Sequence, residues 1–143
     1  MQAPKHTPLQ PLSRCSSSPS SPSSSPSSSS TPSSDSFPFQ RLDVYVVARS
    51  LVRLVHSASI SDAELRDQAT RAAKSAFLNL CEGLPSDRPA VRRRYFRQAD
   101  GSVPEVAGAL DCAAVIGALD EGLARDGIAL AARVRALIRG LLR

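Results

Sequence analysis

Apolar residues recur at spacings of three and four between Leu65 and Leu80, and this periodicity constrains the fold more than any other feature of the chain. At about 100° per residue these positions fall on one arc of a helical wheel, as on the buried face of a globular helix. The arc comprises Leu65, Ala69, Ala72, Ala73, Ala76, Phe77 and Leu80. The segment is therefore predicted to be an amphipathic α-helix.

Three further segments show the same periodicity. The predicted helices span residues 42–59, 62–82, 89–116 and 121–142. Ser61 and Glu64 have the spacing of a capping box before the second helix, and Gly83 is predicted to end that helix in a left-handed conformation. Pro89 is predicted to open the third helix, because proline is well tolerated in a first turn.

Residues that disfavour helices lie inside two of these segments. Pro104 falls on the side of the third helix away from the apolar arc, so the helix is predicted to bend there without ending. Gly122 and Gly127 are expected to weaken the first half of the fourth helix. Four amphipathic helices with short connections predict an all-α fold, an antiparallel up-down-up-down four-helix bundle over residues 37–143.

The first 36 residues have a different composition, since they consist largely of Ser and Pro and lack apolar periodicity. Such a segment cannot offset the entropy cost of ordering, so residues 1–36 are predicted to be a disordered tail. The segment also lacks the apolar run of a secretory signal. A linker, a phosphorylatable tail and a start codon placed too far upstream all fit this composition, and we favour the last two.

Charge and cysteine content indicate the compartment and the class of partner. The chain carries 18 Lys and Arg against 13 Asp and Glu, a net charge of +5 that permits an anionic partner without requiring one. Cys15, Cys81 and Cys112 are odd in number and lack CxxC spacing, which argues for a reducing compartment and against a zinc site. Cys81 and Cys112 are expected to be buried or half-buried. No apolar run has the length of a membrane span, so we expect a soluble, cytoplasmic protein without a membrane partner.

A stripe of polar residues borders the apolar arc of the second helix, and two residues of the third helix hold a matching position. The stripe comprises Gln68, Arg71, Ser75, Asn79 and Glu82, matched by Ser102 and Glu105. These residues could line a ligand or subunit surface. They could instead form a structural network in which Arg71 pairs with Glu82 or Glu105, while Ser75 and Asn79 bridge the two helices. We favour the structural network, within the bundle or at a subunit contact.

Arginines form the second group of candidate functional residues. The candidates for nucleic-acid binding are Arg88, Arg92, Arg93, Arg94, Arg97, Arg135, Arg139 and Arg143. Clustered guanidinium groups suit phosphate recognition. Tyr95 and Phe96 are interleaved with them but lie on the apolar arc, so they are expected to pack in the core instead of stacking on bases.

The sequence offers little for catalysis. His6 lies in the tail and His56 on the polar side of the first helix. No Glu-x-x-His pair suggests a di-iron bundle, and no nucleophile lies beside a base. We therefore expect neither an enzyme nor a metal or other cofactor.

Three motifs give the chain a resemblance to a known family. They are Phe39-x-x-Leu42-x-Val-Tyr45-x-x-Ala48, Gln68-x-x-Arg71-Ala-Ala-x-Ser75-x-x-x-Asn79-x-x-Glu82-Gly83 and Phe96-x-x-Ala99-x-Gly-Ser102-x-x-Glu105. From Phe37 onward the chain resembles the small bacterial four-helix-bundle proteins encoded in intervening sequences of 23S rRNA genes. The accessory variability proteins of diversity-generating retroelements look similar too.

The resemblance implies a ring-shaped homopentamer whose basic surface binds structured RNA or DNA. Asp100 departs from the family pattern, where a basic residue is usual, and Pro104 interrupts a helix that is normally continuous. The predicted function is that of a non-enzymatic homo-oligomeric bundle protein that binds nucleic acid. The alternative is a structural or protein-interaction scaffold, for example one that binds a reverse transcriptase and does not contact nucleic acid.

Overall fold

Residues 37–143, the part of the chain that the computed structural model describes, form four α-helices after a short 3₁₀ helix. The 3₁₀ helix spans Pro38–Arg41, and the α-helices are α1 (Asp43–Ser57), α2 (Ala63–Gly83), α3 (Pro89–Val115) and α4 (Glu121–Leu142). The all-α, four-helix prediction is confirmed, and each α-helix begins and ends within two residues of its predicted bounds. The predicted disordered tail, with His6 and Cys15, lies outside the described residues.

Each helix packs against two others: α1 and α3 both contact α2 and α4. On the α2–α3 side, Ser75 is hydrogen-bonded to Ser102, and Gly83 faces Phe96. Residue numbers thus rise along α2 as they fall along α3, so these two helices run antiparallel. The complete up-down-up-down order stays a prediction.

The core lies between the four helices and is built from large and small apolar side chains. Phe96 and Leu80 are 1 % and 0 % exposed, and burying each contributes about 1.5–3 kcal/mol relative to leaving it exposed. The alanines of the predicted α2 arc are buried, whereas Leu65 and Phe77 at its edges are half-buried. The periodicity of α2 therefore identified the face that packs inward.

Gly83 does not have the conformation predicted for it. The positive-φ glycine of the described chain is Gly117, with φ of 72°, in the turn between α3 and α4. Gly83 is the last residue of α2 and is buried against α3. A Cβ placed there would lie 2.7 Å from a ring carbon of Phe96 and 3.1 Å from the Cβ of Tyr95. Glycine is needed at this position because the two helices approach closely, not because the backbone is left-handed.

Gly127 also serves packing, which the sequence analysis did not anticipate. It is buried in α4, where a Cβ would lie 2.5 Å from a methyl carbon of Leu110 on α3 and 3.1 Å from one of Leu54 on α1. Nearer the other end of α4, Arg135 contacts Asp100 of α3. These two α3–α4 contacts show that α3 and α4 also run antiparallel.

The helix caps differ in one respect from the prediction. Asp62, not Ser61, is the N-cap of α2, and its carboxylate accepts a hydrogen bond of 2.9 Å from the backbone N–H of Leu65. The backbone N–H of Ser61 instead donates to the carbonyl oxygen of Ala118, at 3.0 Å. Ser61 thus joins the α1–α2 connection to the α3–α4 turn.

Pro104 lies inside α3 on its exposed side, and the helix continues through it, as expected from its position on the helical wheel.

The two cysteines of the described residues differ in exposure. Cys81 is half-buried, but Cys112 is exposed, so the prediction that Cys112 is buried or half-buried was wrong. Within residues 37–143, no helix is both long and apolar enough to cross a membrane.

An aromatic ladder fastens the start of the described chain to the bundle. The residues preceding α1 form the 3₁₀ helix Pro38–Arg41. The rings of Phe37 and Phe39 stack at 5.4 Å, Phe39 meets Tyr45 edge-on at 5.7 Å, and Tyr45 lies 5.2 Å from Phe77 of α2. The ladder therefore ties this first turn to both α1 and α2.

Candidate functional site

Ser75 of the predicted polar stripe joins α2 to Ser102 of α3 through one hydrogen bond, whereas Asn79 bonds Ser75 on its own helix and does not bridge the two helices as predicted. The hydroxyl oxygens of Ser75 and Ser102 lie 2.9 Å apart. The Asn79 amide donates to the backbone oxygen of Ser75 at 2.8 Å and lies 3.4 Å from the Ser75 hydroxyl. All three side chains are half-buried at the edge of the core, where polar groups need protein partners.

The partners of these groups give the chain of hydrogen bonds a direction. The Ser102 hydroxyl also lies 3.2 Å from the Gln98 carbonyl oxygen, which can only accept, so Ser102 donates there. The Ser75 hydroxyl then donates to Ser102 and accepts from Asn79. Each hydroxyl proton is thereby used once. This arrangement holds α2 against α3 and leaves neither serine beside a base that could activate it.

The remaining residues of the stripe lie in solvent and do not join this network. Gln68, Arg71, Glu82 and Glu105 are all exposed. Arg71 is 3.5 Å from the side-chain oxygen of Gln68, on its own helix. Within residues 37–143 it forms no ion pair with Glu82 or Glu105, contrary to the predicted pairing. The reason is geometric: Arg71 and Glu82 are three turns apart on α2, and Arg71 stays over its preceding turn.

Glu82 acts on two neighbours at the end of α2. It raises the pKa of the Tyr95 phenol on α3, first through hydrogen bonding and then through its negative charge. It also contributes to the raised pKa of the Cys81 thiol, although burial is the larger cause there. Both effects favour the protonated forms, so neither Cys81 nor Tyr95 is prepared to act as a nucleophile at neutral pH.

Exposed arginines cover the first half of α3, and we call Arg88, Arg92, Arg93, Arg94 and Arg97 the α3 arginine cluster. No carboxylate of residues 37–143 lies within ion-pair distance of any of them. The Arg92 guanidinium is 5.4 Å from the centre of the Phe96 ring, which is buried beneath it. Phe96 is thus a core packing residue, in agreement with the sequence analysis, whereas Tyr95 is half-buried and lies outside the core.

The arginines of α4 have a different environment, because a carboxylate of α3 lies among them. Asp100 is 3.2 Å from the Nε of Arg135 and 3.6 Å from the Nε of Arg139. Arg143 directly follows the last residue of α4 and is exposed. The departure at Asp100 therefore does more than remove a positive charge, since its carboxylate partly neutralises two of the arginines predicted to bind phosphate.

Two contacts of the arginines were missed by sequence reasoning. The i, i+4 spacing of Arg92 and Phe96 is a signal that could have revealed their stacking. The pairing of Asp100 with α4 has no local signal, because these residues lie 35 positions apart. Among residues 37–143, no cluster of His, Cys, Asp and Glu could hold a metal ion. Exposed guanidinium groups are chemically suited to contacts with anions.

Comparison with known proteins places the chain in a family. The search of curated proteins found no match. A model of the family described as "23S rRNA-intervening sequence protein" matches residues 40–140, which include all four α-helices almost to the end of α4. The matched region contains the Ser75–Ser102 contact and the α3 arginine cluster. The chain belongs to the 23S rRNA-intervening sequence protein family.

Proposed function

We propose that this protein is a non-enzymatic, homo-oligomeric bundle protein that binds structured RNA or DNA through the α3 arginine cluster. The observation that carries the proposal is the exposure of five arginines without an ion-pair partner among residues 37–143. Unpaired guanidinium groups at a rigid helix surface can bind phosphates without first breaking a salt bridge.

The α4 arginines take a secondary part in this proposal. Asp100 competes with a phosphate for Arg135 and Arg139, so each contributes less to anion binding than an unpaired arginine. The α3 cluster, joined by Arg143, is therefore the principal contact. This division separates the eight arginines singled out in the sequence into a free group and a neutralised group.

Salt-dependent binding of a short RNA hairpin tests the proposal. We expect the affinity to fall steeply between about 50 and 200 mM salt, since each phosphate contact releases counterions. Changing Arg93, Arg94 and Arg97 to Gln should weaken binding and reduce the slope of log affinity against log salt by about 2–3. Fluorescence anisotropy at several salt concentrations measures both quantities. Absent or salt-independent binding of the RNA hairpin would contradict this proposed function.

A matched control removes three positive charges from a surface outside the α3 arginine cluster. Arg41, Arg49 and Arg53 are exposed and lie before or within α1. Their triple change to Gln should lower the affinity only slightly through the net charge. Equal losses in the two triple variants would show that the contact is a diffuse effect of charge and not a surface on α3.

Self-association is the second part of the proposal, and exposed aliphatic side chains support it. Val115 and Ile116, at the end of α3, are 81 % and 57 % exposed, and Leu78 of α2 is 57 % exposed. Adjacent exposed aliphatic residues are typical of surfaces that contact another protein. We propose a homopentamer, the assembly implied by the resemblance described above.

Light scattering at micromolar concentration tests the assembly. The expected mass is five times that of the 15.2 kDa chain, and changing Val115 and Ile116 together to Ser should reduce it. A wild-type monomer would argue against self-association.

A protein-interaction scaffold, for example one that binds a reverse transcriptase, is the alternative function that the same exposed aliphatic residues favour. An oligomer that binds neither RNA nor DNA would support the scaffold.

A further inference from the structure

An open groove of about 500 Å³ runs between α3 and α4 on the outside of the bundle. Its floor is apolar and includes Val103, Ala107, Ile128 and Ala131, of which Val103 and Ala131 are buried. Ala132 and Ala136 also line it, so several positions facing the groove carry only a methyl group. The groove exists because these side chains are too small to fill the space between the helices.

The groove has one basic end. Arg135, Arg139 and Arg143 line this end at intervals of four residues, the first two within α4 and the third directly after it. Asp100 is 24 % exposed and pairs with the first two of these arginines. The basic end thus has three guanidinium groups, of which Asp100 pairs with two, and this leaves an excess of positive charge beside an apolar floor.

We propose that this groove binds a small amphiphilic anion, with its apolar chain on the floor and its carboxylate or phosphate head at Arg139 and Arg143. The volume falls within the range of about 300–1,000 Å³ that is typical of small-ligand sites, and a mostly apolar lining with a few polar groups at one end is typical of them too. A bare phosphate or an RNA backbone would use the arginines but leave the floor exposed to water. A neutral or cationic amphiphile would leave the excess positive charge unpaired.

Asp100 sets the affinity of this site in the proposal. Its carboxylate holds Arg135 and Arg139 toward α3, so an anionic head must share them or use the exposed side of Arg139. Removing the negative charge of Asp100 should strengthen binding of the anionic amphiphile, whereas removing an arginine should weaken it. A change that merely disturbed the fold would weaken binding in both cases.

Isothermal titration calorimetry of the full-length protein with decanoate, decyl phosphate and decyltrimethylammonium, below their micellar concentrations, tests the proposal. We expect decanoate and decyl phosphate to bind once per chain and the cationic amphiphile at least about tenfold more weakly. The stronger of the two anions identifies the head group as carboxylate or phosphate. Octanoate should bind roughly tenfold more weakly than decanoate, because two buried methylenes are lost. Equal affinity for the cationic and anionic amphiphiles would overturn the proposal.

Three variants locate the site. Ala132→Trp fills the groove from an exposed position, so it should abolish decanoate binding while leaving RNA binding by α3 unchanged. Arg139→Gln should weaken decanoate binding about tenfold, and Asp100→Asn should strengthen it. Arg53→Gln, at an exposed position of α1 outside the groove, is the control and should leave decanoate binding unchanged. Circular dichroism and thermal unfolding confirm that each variant is folded. Unchanged decanoate binding by a folded Ala132→Trp protein would refute this site.

Discussion

Gly83 and Gly108 are both helical glycines, but their surroundings predict opposite effects of adding a methyl group. At Gly83 the new Cβ would lie 2.7 Å from the buried Phe96 ring, whereas at Gly108 it would meet nothing within 4 Å. We expect Gly83→Ala to lower the free energy of unfolding by about 1–2 kcal/mol, since overpacking exceeds the gain in helix propensity. Gly108→Ala should raise it by up to about 1 kcal/mol.

Urea unfolding monitored by circular dichroism measures both changes. Gly108→Ala is the matched control, because it makes the same chemical change on the exposed side of α3. A stabilising effect of both substitutions would mean that Phe96 can move away at little cost. The close approach of α2 and α3 would then not depend on Gly83.

The two cysteines of the described chain are expected to differ in reactivity. Cys112 is exposed, whereas Cys81 is half-buried and has a raised pKa through burial and the charge of Glu82. At pH 8 a disulfide-exchange reagent should modify Cys112 at least about tenfold faster, because the thiolate is the reacting form. Raising the pH should narrow the difference as Cys81 ionises. Peptide mass mapping of a Cys15→Ser protein measures each rate.

Unfolding provides the control for this comparison. In concentrated urea the two thiols lose their different environments, so their rates should converge. Faster modification of Cys81 in the folded protein would contradict the burial of its thiol.

At the level of residues, the sequence identified polar and apolar faces better than it identified individual contacts. The pairing of Ser75 with Ser102 could be predicted, because the helical wheels of α2 and α3 place the two serines on facing sides of neighbouring helices. Gly83 was misread because glycine followed closely by Pro85 is also the pattern of a helix stop. Its role depends on the distance to Phe96. That distance is set by the packing of α2 against α3, and no local sequence pattern indicates it.

The boundaries of the helices were predictable because each has a local cause. Pro89 lies at the start of α3, Asp120 caps α4, and apolar periodicity continues between these signals. The assignment of Ser61 as the cap of α2 failed because Asp62, one residue later, is an equally good cap. Ser61 is held by Ala118, a tertiary contact that a local pattern cannot reveal.

Pro104 is expected to weaken α3 although the helix continues through it. Proline lacks the N–H that would bond the carbonyl of Asp100 one turn earlier. Pro104→Ala should therefore raise the free energy of unfolding by about 1–2 kcal/mol, after allowing for the larger entropy of the unfolded variant. Thermal unfolding measures the change.

Pro89→Ala is the control for Pro104→Ala, because Pro89 is in the first turn of α3, where no helical hydrogen bond is missing. The free energy of unfolding of Pro89→Ala should be unchanged or lower by about 0.5 kcal/mol. A loss of stability in Pro104→Ala would show that the ring of Pro104 supplies packing that outweighs the missing bond.

The hydrogen bond between Ser75 and Ser102 should couple α2 to α3. In a double-mutant cycle with Ser75→Ala and Ser102→Ala, we expect a coupling free energy of about 0.5–1.5 kcal/mol, as for a typical intramolecular hydrogen bond. Chemical denaturation of the four proteins gives this value.

A second cycle combines Ser75→Ala with Ser50→Ala. Ser50 donates to the backbone oxygen of Val46 on its own helix, α1, so this cycle should show no coupling. Coupling of similar size in both cycles would indicate a change in the unfolded state and not a contact between α2 and α3.

At the scale of the whole molecule, family membership and fold are better determined by the sequence than the surfaces are. Buried positions of a bundle repeat with the helix, so their pattern can be read in one dimension. The arginines could likewise be identified as exposed. What the sequence could not supply is which of them are free, since Asp100 neutralises Arg135 and Arg139 from another helix. The pairing state of these arginines therefore depends on contacts between helices that the pattern within each helix does not encode.

A chain that begins at Phe37 is expected to unfold at the same temperature as the full-length protein. The buried core runs from Val44 to Ile138, and the aromatic ladder fastens the first described residues to it. Scanning calorimetry of the two chains should give midpoints that agree within about 1 °C. Removing residues through Arg41 is the control, since loss of the Phe39 contact with Tyr45 should cost about 0.5–1.5 kcal/mol beyond the buried area. A large loss of stability in the chain that begins at Phe37 would show that residues 1–36 contribute to the fold.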